Sequence, residues 1–147
     1  MHAADPHRLC TSCGLCCDGS VVRGTEIAAS DVAHARSIGL SIIQLDAVHQ
    51  GFRHPCPLLQ SDCTCAAYAE RPRSCRDYRC ALLTRYEAGT VSLDAALAIV
   101  RTAKQLIAAW RGAGARDDAA ARVDAAAADV YLWRHFREGE APPEPRG

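Results

Sequence analysis

The sequence predicts a mainly α protein with irregular metal-binding loops, in which a cysteine-rich, metal-stapled core packs against a C-terminal antiparallel helical hairpin. Three observations predict this fold. Nine cysteines lie between residues 10 and 80. Prolines interrupt regular structure among the later cysteines. In the alanine-rich segment 92–137, apolar residues recur at the three- and four-residue steps of an amphipathic helix.

The length of 147 residues is typical of one domain. We expect a single metal-binding domain over residues 1–137, followed by a disordered, proline-containing tail at 138–147. Within the domain, residues 10–83 are expected to form the cysteine-rich metal-binding part, and residues 92–137 the helical hairpin.

The chain has many apolar residues, but a large share of their side chains is small. Hydrophobic residues make up 49% of the sequence, but 28 of them are alanines and eight are aromatic, so burial per residue is small. A bound metal would add the folding free energy that this small apolar burial does not provide. Structural zinc contributes roughly 10–16 kcal/mol of folding free energy in small peptides, whereas closing the loop from Cys17 to Cys56 costs about 3 kcal/mol of chain entropy.

Charge and cysteine usage restrict the surroundings of the protein. Seventeen basic residues balance seventeen acidic ones, so no global field attracts nucleic acid or an anionic membrane, and neither is expected as a partner. The N-terminus lacks the apolar core of a signal peptide, and no stretch has the apolar length of a membrane span. We expect a cytoplasmic protein. In that reducing compartment, nine cysteines favour metal binding over disulfides.

The cysteines are densest in the segment Cys10–Cys17, which has the spacing C-x2-C-x2-C-C. A two-residue gap lets the chain turn so that both sulfurs reach one metal, as in zinc knuckles and ferredoxin-like runs. Cys16 and Cys17 differ from this pattern because adjacent side chains diverge in a strand or a helix. We expect the run to be divided, with these two residues serving different sites, or with one ligating while the other packs.

Short elements are predicted between this run and the next cysteines. Residues 20–27 are rich in β-branched side chains and predict a strand or hairpin beside the site. Residues 30–39 predict a helix that begins at a Ser-Asp pair and ends at a glycine. Residues 41–51 predict a second short helix, with apolar residues at helical spacing and Gly51 as its end.

Five more cysteines follow within residues 56–80. The neighbouring prolines place Cys56 and Cys65 on loops, where the backbone can adapt to a metal. Cys75 and Cys80 are five residues apart and are predicted on one short helical stretch, from which they would approach one centre from adjacent turns.

This pattern resembles that of bacterial cysteine-cluster proteins that are named for a CxxCxxCC motif and described as zinc- or iron-chelating domains. The run at 10–17 matches the first block, Cys56-Pro57-Leu58 matches the next step, and residues 65–80 match the distal block C-x2-Y-x2-R-P-x2-C-R-x-Y-x-C. The resemblance covers residues 10–83 and implies metal binding. The ligands that it implies are Cys10, Cys13, Cys16, Cys17, Cys56, Cys65, Cys75 and Cys80.

The spacing leaves two kinds of metal centre open. Eight cysteines would form two closed tetrahedral zinc sites. C-x2-C-x2-C with one distant cysteine is instead the ferredoxin-like arrangement for a [4Fe-4S] cluster. We favour the iron-sulfur cluster because three evenly spaced cysteines suit the corners of a cubane. The similar motif of flagellin lysine methylases is also associated with such a cluster and with methyl transfer from S-adenosylmethionine.

Two arginines lie among the distal cysteines. Either centre would carry a net charge of about −2 with four thiolates, so Arg71 and Arg76 are candidates to balance that charge around the cofactor. The alternative is that they pair with Glu70 and Asp77 on the surface.

The ninth thiol, Cys63, matches no position of the motif. It lies two residues before Cys65, and in an extended segment the two side chains would lie on the same side. We therefore expect Cys63 to be near the metal without ligating it. His54 is expected to be spare as a ligand, since eight thiols are available.

Two long helices are predicted after the cysteines. Ser92 is a favourable N-cap for the first helix, and the second is expected from about Asp117 to Arg137. Their apolar stripes should pack together as a hairpin. The predicted stripes are Leu93, Leu97, Val100, Ala103, Ile107 and Trp110 in the first helix and Ala119, Val123, Ala126, Val130 and Trp133 in the second.

Three function classes remain open. The first is a metal- or cluster-binding accessory protein for electron transfer or metal handling. The second is an enzyme that uses the cluster with S-adenosylmethionine, and the third is a structural zinc module for protein interaction. No glycine-rich nucleotide loop or Ser/His/Asp set supports an independent catalytic apparatus, so no catalytic residue is assigned. A protein partner is expected on the helical hairpin, and the chain is expected to be a monomer or a homodimer.

Overall fold

A computed structural model of the chain describes residues 5–112 and 118–137. These residues form six α-helices and one three-stranded sheet, so the predicted mainly α fold is confirmed, with a small sheet added to it. The predicted tail at 138–147 lies outside the described residues. The elements are α1 (Pro6–Cys13), β1 (Gly24–Glu26), α2 (Val32–Ser37), β2 (Ile43–Gln44), β3 (Gln50–Arg53), α3 (Arg73–Asp77), α4 (Ala81–Glu87), α5 (Leu93–Gly112) and α6 (Ala119–Phe136).

The chain divides into two compact units. The cysteine-rich unit is Cys10–Arg79, and the helical unit comprises the described residues 5–9, 80–112 and 118–137. Eight of the nine cysteines therefore lie in the cysteine-rich unit, and Cys80 is the first residue of the helical unit after it.

Strand β3 is the centre of the antiparallel sheet, with β1 on one side and β2 on the other. Strand β1 confirms the strand predicted within residues 20–27. Gly51 pairs with Glu26 of β1 and with Ile43 of β2. A Cβ atom on Gly51 would overlap the carbonyl oxygen of Thr25 and lie 2.9 Å from Cδ1 of Leu45. A glycine is therefore required here for the strands to pair.

The helix predicted over residues 41–51 is wrong, because this segment forms β2, a turn and the start of β3. Asp46 determines the turn: its Oδ1 accepts hydrogen bonds at 2.9 Å from the backbone N–H groups of Val48 and His49. This local bonding competes with the helical backbone pattern. Val48, an apolar residue of this segment, is 79% exposed on the turn.

The core of the cysteine-rich unit is a cluster of Ile27, Ala35, Leu40 and Phe52. Helix α2 contributes Ala35 to it, which confirms the helix predicted over residues 30–39. Gly39 has a φ of 103° and follows Ile38, the C-cap of the helix, as expected for a left-handed C-terminal stop. The side chains of Cys56 and Cys75 pack against this same apolar cluster.

In the helical unit, α5 and α6 pack against each other, and both contact α4. The predicted N-cap of α5 is confirmed, since Oγ of Ser92 accepts a hydrogen bond of 3.1 Å from Ala95 N–H. Helix α6 begins in the same way at Asp118, whose Oδ1 accepts a 2.8 Å bond from Ala121 N–H. None of the helices in the described parts of the chain combines the length and apolarity needed to cross a membrane.

The predicted stripe of α5 is largely correct, but that of α6 is wrong. Val100, Ala103 and Ile107 are buried as expected, whereas Trp110 is 46% exposed. Alanine makes α6 apolar on nearly every face, so periodicity alone could not select the buried one. The face of α6 that is buried is instead the one that carries the large side chains Leu132 and Phe136 near its C-terminal end. Its buried residues are Ala121, Ala128, Leu132 and Phe136, while Val123 and Val130 are exposed.

Candidate metal centre

The first part of the cysteine run is helical. Cys10 and Cys13 lie in α1, three residues apart and hence on one face. Gly14 has a φ of 70°, and its N–H donates to the carbonyl oxygen of Cys10 at 3.4 Å, which ends the helix. A turn follows, and buried Leu15 anchors it. Cys16 and Cys17 lie on this turn.

Main-chain contacts bring Cys17 to the distal cysteines. The N–H of Cys56 donates to the carbonyl oxygen of Cys17 at 2.8 Å, and the N–H of Leu59 donates to that of Cys56 at 3.1 Å. Leu59 then forms an isolated antiparallel bridge with Cys65. Cys17, Cys56 and Cys65 are thus connected through the backbone. Cys56 and Cys65 lie outside the named helices and strands, as the prolines predict.

Cys75 lies in the short helix α3, which is bonded to Asp31, the N-cap residue of α2. The N–H of Arg73, at the start of α3, donates to Oδ2 of Asp31 at 2.8 Å. Pro72, directly before the helix, is buried. These contacts hold Cys75 against the same apolar cluster as Cys56. We call Cys17, Cys56, Cys65 and Cys75 the Cys17 group.

Burial and nearby thiols raise the pKa of Cys17, Cys56 and Cys75. Cys17 is exposed as a residue, but burial of its thiol by surrounding atoms raises its pKa from 9.0 to about 12, and charges at Cys56, Cys75, Cys65 and, last, Cys10 add to the effect. Burial and the charge of Cys56 likewise raise the pKa of Cys75 to about 11. Burial, with a smaller effect of Cys65, also raises the pKa of Cys56. Burial and neighbouring thiolates therefore disfavour ionisation of Cys17, Cys56 and Cys75, an effect that a bound cation would reverse.

The two arginines predicted near the metal differ in their surroundings. Arg71 is half-buried, with its guanidinium carbon 3.8 Å from the centre of the Tyr68 ring and its Nε donating to the Tyr68 carbonyl oxygen at 3.0 Å. Its charge lowers the pKa of Cys75 and partly opposes the effect of burial. Arg76 is exposed. Asp77, its suggested surface partner, lies 3.9 Å from Arg73.

The side chain of Cys16 contacts an aromatic hydroxyl group. Cys17 belongs to the Cys17 group, whereas Sγ of Cys16 lies 3.8 Å from the hydroxyl oxygen of Tyr78. We call Cys10, Cys13 and Cys16 the N-terminal thiol group. Cys10, in the same run, also raises the pKa of Cys17, so the expected division of the run stays a prediction.

The predicted helical stretch carrying both Cys75 and Cys80 is wrong. Helix α3 ends at Asp77, and Tyr78 is extended, with φ −65° and ψ 134°. Cys80 is instead the N-cap of α4, where its Sγ accepts a hydrogen bond of 3.4 Å from Leu83 N–H. The break separates the two cysteines into different units.

Cys63 does not lie in an extended segment with Cys65, as the sequence suggested. Its φ is 70°, in the left-handed region that non-glycine residues rarely adopt. Its N–H donates to the carbonyl oxygen of Gln60 at 3.0 Å, within a tight turn. This turn gives Cys63 surroundings different from those of Cys65.

His54 has both ring nitrogens in hydrogen bonds. Its Nδ1 is 2.8 Å from the carbonyl oxygen of Val22, an acceptor, so Nδ1 carries the proton. Its Nε2 then accepts from the hydroxyl of Thr25 at 2.9 Å. The ring also lies 5.6 Å from that of Phe52. His54 thus connects β1, β3 and the chain before them.

The donor chemistry of the Cys17 group fits zinc or iron-sulfur binding. All nine cysteines are thiols rather than disulfides, and thiolates are the ligands that these centres prefer. Across residues 5–112 and 118–137, no three or more His, Cys, Asp or Glu side chains are already arranged to hold a metal ion. The Cys17 group is accordingly a set of neighbouring thiols that a metal would draw together.

The cysteine-rich unit carries eight cysteines, two of which pack against its small apolar core, and this composition is typical of thiolate metal-binding domains. A family model named CxxCxxCC, described as "Putative zinc- or iron-chelating domain", matches residues 9–96, which are 88 of the 147 residues. The chain belongs to this family, as its cysteine pattern predicted. No curated protein and no solved structure matches the chain.

Proposed function

We propose that this protein is an iron-sulfur accessory protein, in which the Cys17 group holds a [4Fe-4S] cluster for electron transfer or metal handling. One observation carries the proposal: the carbonyl oxygen of Cys17 accepts a 2.8 Å hydrogen bond from the N–H of Cys56, and burial, followed by charges at Cys56, Cys75 and Cys65 and a smaller effect of Cys10, raises the pKa of Cys17. Four thiols are the complete ligand set of such a cluster.

Known ligation patterns support a divided run. In two-cluster ferredoxins, the fourth cysteine of a C-x2-C-x2-C-x3-C run ligates a different cluster from the first three. Here Cys16 and Cys17 are the point of division. The separation therefore follows a pattern that iron-sulfur proteins use.

The environment of the Cys17 group suits a redox cofactor. The apolar cluster around Phe52 backs Cys56 and Cys75 and reduces the access of water, while Arg71 supplies positive charge near Cys75. Both factors tune the potential of a thiolate-bound cluster. When bound, the cluster would supply one-electron redox chemistry.

The test is metal analysis of protein purified without oxygen. We expect brown protein with stoichiometric iron and sulfide, and an electron paramagnetic resonance signal after reduction. Cys17→Ser and Cys56→Ser should each lose the cluster of the Cys17 group. Ser74→Ala, which changes a residue adjacent to Cys75 without removing a thiol, should retain it. Colourless protein with stoichiometric zinc would overturn the proposal and support the structural zinc module.

The role can be resolved further with the same material. Reversible reduction with retention of iron supports electron transfer, and release of iron to an acceptor protein supports metal handling. Calorimetric titration with S-adenosylmethionine tests the enzyme alternative. Heat of binding with a change in the cluster spectrum would favour that alternative over an accessory role.

A further inference from the structure

Cys63, the cysteine outside the family motif, packs against the N-terminal run. A Cβ atom on Gly14 would lie 3.2 Å from Cβ and 3.5 Å from Sγ of Cys63. Gly14 directly follows Cys13 and precedes Cys16 by two residues. The Cys63 side chain therefore lies beside the turn that carries the N-terminal thiol group.

The turn at residues 60–64 places this thiol. Gln60 accepts from Cys63 N–H at 3.0 Å and donates its own N–H to Thr64 at 2.8 Å. Asp62 reinforces the turn, because its Oδ1 accepts from Thr64 N–H at 3.1 Å. The chain then continues to Cys65, which pairs with Leu59. A left-handed residue thus directs two nearby cysteines to two different surroundings.

The N-terminal thiol group supplies three ligands, whereas closed zinc sites and [4Fe-4S] clusters take four. We propose that Cys63 is the fourth ligand of a second metal centre, formed with Cys10, Cys13 and Cys16. The inference rests on the proposed function, which assigns Cys17 to the other group. Its contact with Gly14 is the observation that selects Cys63.

Cys80 is the alternative fourth ligand, because the family motif includes it. In the structure, Cys80 belongs to the helical unit, and its Sγ accepts the 3.4 Å bond from Leu83 N–H that caps α4. Cys63 belongs to the same unit as the N-terminal thiol group. Cys80 therefore serves as the matched comparison in the test.

The experiment compares the metal content of four anaerobically purified proteins: wild type, Cys63→Gly, Cys65→Ser and Cys80→Ser. Glycine is the replacement at 63 because it removes the thiol and accepts a φ of 70° without strain. Circular dichroism of each variant checks folding. Iron, sulfide and zinc per chain are then determined, with spin quantification after reduction where iron is present.

We expect Cys63→Gly and Cys65→Ser each to lose about half of the bound metal, because each removes a ligand of a different four-ligand centre. Cys80→Ser should retain both centres. Full occupancy in folded Cys63→Gly overturns the inference, and loss in Cys80→Ser instead assigns the fourth position to Cys80. A second variant, Cys63→Asn, also tolerates the left-handed conformation and should repeat the loss.

Failure of the inference can be distinguished from failure of the proposed function. Zinc in place of iron in the wild type contradicts the iron-sulfur proposal, but the comparison between variants still tests Cys63. A single centre, lost in Cys65→Ser and kept in Cys63→Gly, overturns the second centre alone. A wild-type protein that holds no metal overturns both.

Discussion

The backbone N–H of Cys56 donates a 2.8 Å hydrogen bond to the carbonyl oxygen of Cys17. The bond fastens the end of the cysteine run to the first distal cysteine across a long intervening segment. Because it joins main-chain groups, it does not depend on the protonation of either thiol. It therefore brings two of the proposed ligands together, which would reduce the ordering that metal binding must impose.

Replacing Arg71 by Gln should weaken metal binding. The guanidinium lowers the pKa of Cys75, so its loss raises that pKa further and makes the thiolate harder to form. Affinity should fall by about tenfold for each unit of pKa gained. Competition with a chromophoric chelator measures it at constant pH.

Arg76→Gln is the matched control for Arg71→Gln. Both variants remove one positive charge from the same segment, but Arg76 is exposed. The loss of affinity should therefore be clearly smaller. Equal losses would show that overall charge, rather than the position of Arg71, determines the effect.

Cysteine spacing predicted the family, and the neighbouring prolines predicted the loops around Cys56 and Cys65. These features follow from local chemistry: thiols at metal-binding spacing, and prolines that interrupt regular structure. The sequence could not predict that Cys63 adopts a left-handed conformation against Gly14. That contact joins residues far apart in the chain, whereas a sequence motif describes only residues that are close in the chain.

The wrong predictions have local causes as well. In residues 41–51, apolar spacing indicated a helix, but Asp46 forms a turn and Gly51 permits two strands to approach. In α6, the abundance of alanine hid the buried face, which Leu132 and Phe136 define. Periodicity is informative only where the polar face differs from the apolar one.

Gly51→Ala should destabilise the cysteine-rich unit. The added Cβ would overlap the carbonyl oxygen of Thr25, which is backbone and cannot turn away as a side chain could. We expect a loss of at least about 1–3 kcal/mol in the free energy of unfolding. Urea unfolding followed by circular dichroism measures the change.

Gly112→Ala provides the comparison for Gly51→Ala. A Cβ on Gly112 meets no atom within 4 Å, and this residue is the last of helix α5. Alanine favours helix over glycine by up to about 1 kcal/mol, so stability should be unchanged or slightly raised. A destabilisation equal to that of Gly51→Ala would contradict the steric explanation.

The pKa of His49 should depend on Asp46. Nδ1 of His49 lies 2.7 Å from Oδ2 of Asp46, and this hydrogen bond, followed by the charges of Asp46 and Glu26, raises the pKa of His49. In Asp46→Asn, the histidine pKa should fall toward 6.5. Nuclear magnetic resonance titration of the imidazole protons measures it, and an unchanged value would refute the pairing.

Glu26→Gln tests the order of these effects. Glu26 lies 4.0 Å from Nε2 of His49, so its replacement should lower the histidine pKa less than Asp46→Asn does.

The hydrogen-bonded pair of Asp46 and His49 should also make the stability of the turn depend on pH. Hydrogen bonds from Val48 N–H and from the His49 side chain lower the pKa of Asp46 from its usual 3.8. The contribution of Asp46 to the stability of the turn is therefore fully present above pH 3.8, and it is lost as the pH falls through the lowered pKa. The contribution of His49 is complete below 6.5 and is lost as pH rises through its raised pKa.

Removing the metal should unfold the cysteine-rich unit or strongly lower its stability. Its apolar cluster of Ile27, Ala35, Leu40 and Phe52 is small, and the conformational entropy of the chain opposes it. Metal ligation would contribute folding free energy directly. Chelation, verified by metal analysis, should therefore reduce the melting temperature and the far-ultraviolet circular dichroism. Unchanged melting after complete removal would contradict this expectation.

The metal-free and metal-loaded forms should respond to pH in opposite directions. In the metal-free fold, the pKa values of Cys75 and Cys17 are raised from 9.0 to about 11 and about 12. The folded state thus keeps protons that the unfolded state loses, so its stability is complete below pH 9 and falls as pH rises toward these values. Metal binding requires thiolates and releases their protons, so the apparent affinity for metal should rise as the pH rises toward these pKa values. Urea unfolding of the metal-free protein at pH 7 and at pH 9.5 measures the trend in stability. Calorimetric titration with metal in buffers of different ionisation enthalpy measures the proton release on binding. Cys17→Ser should reduce the alkaline loss of stability in the metal-free form, and an alkaline gain of stability in that form would refute the linkage.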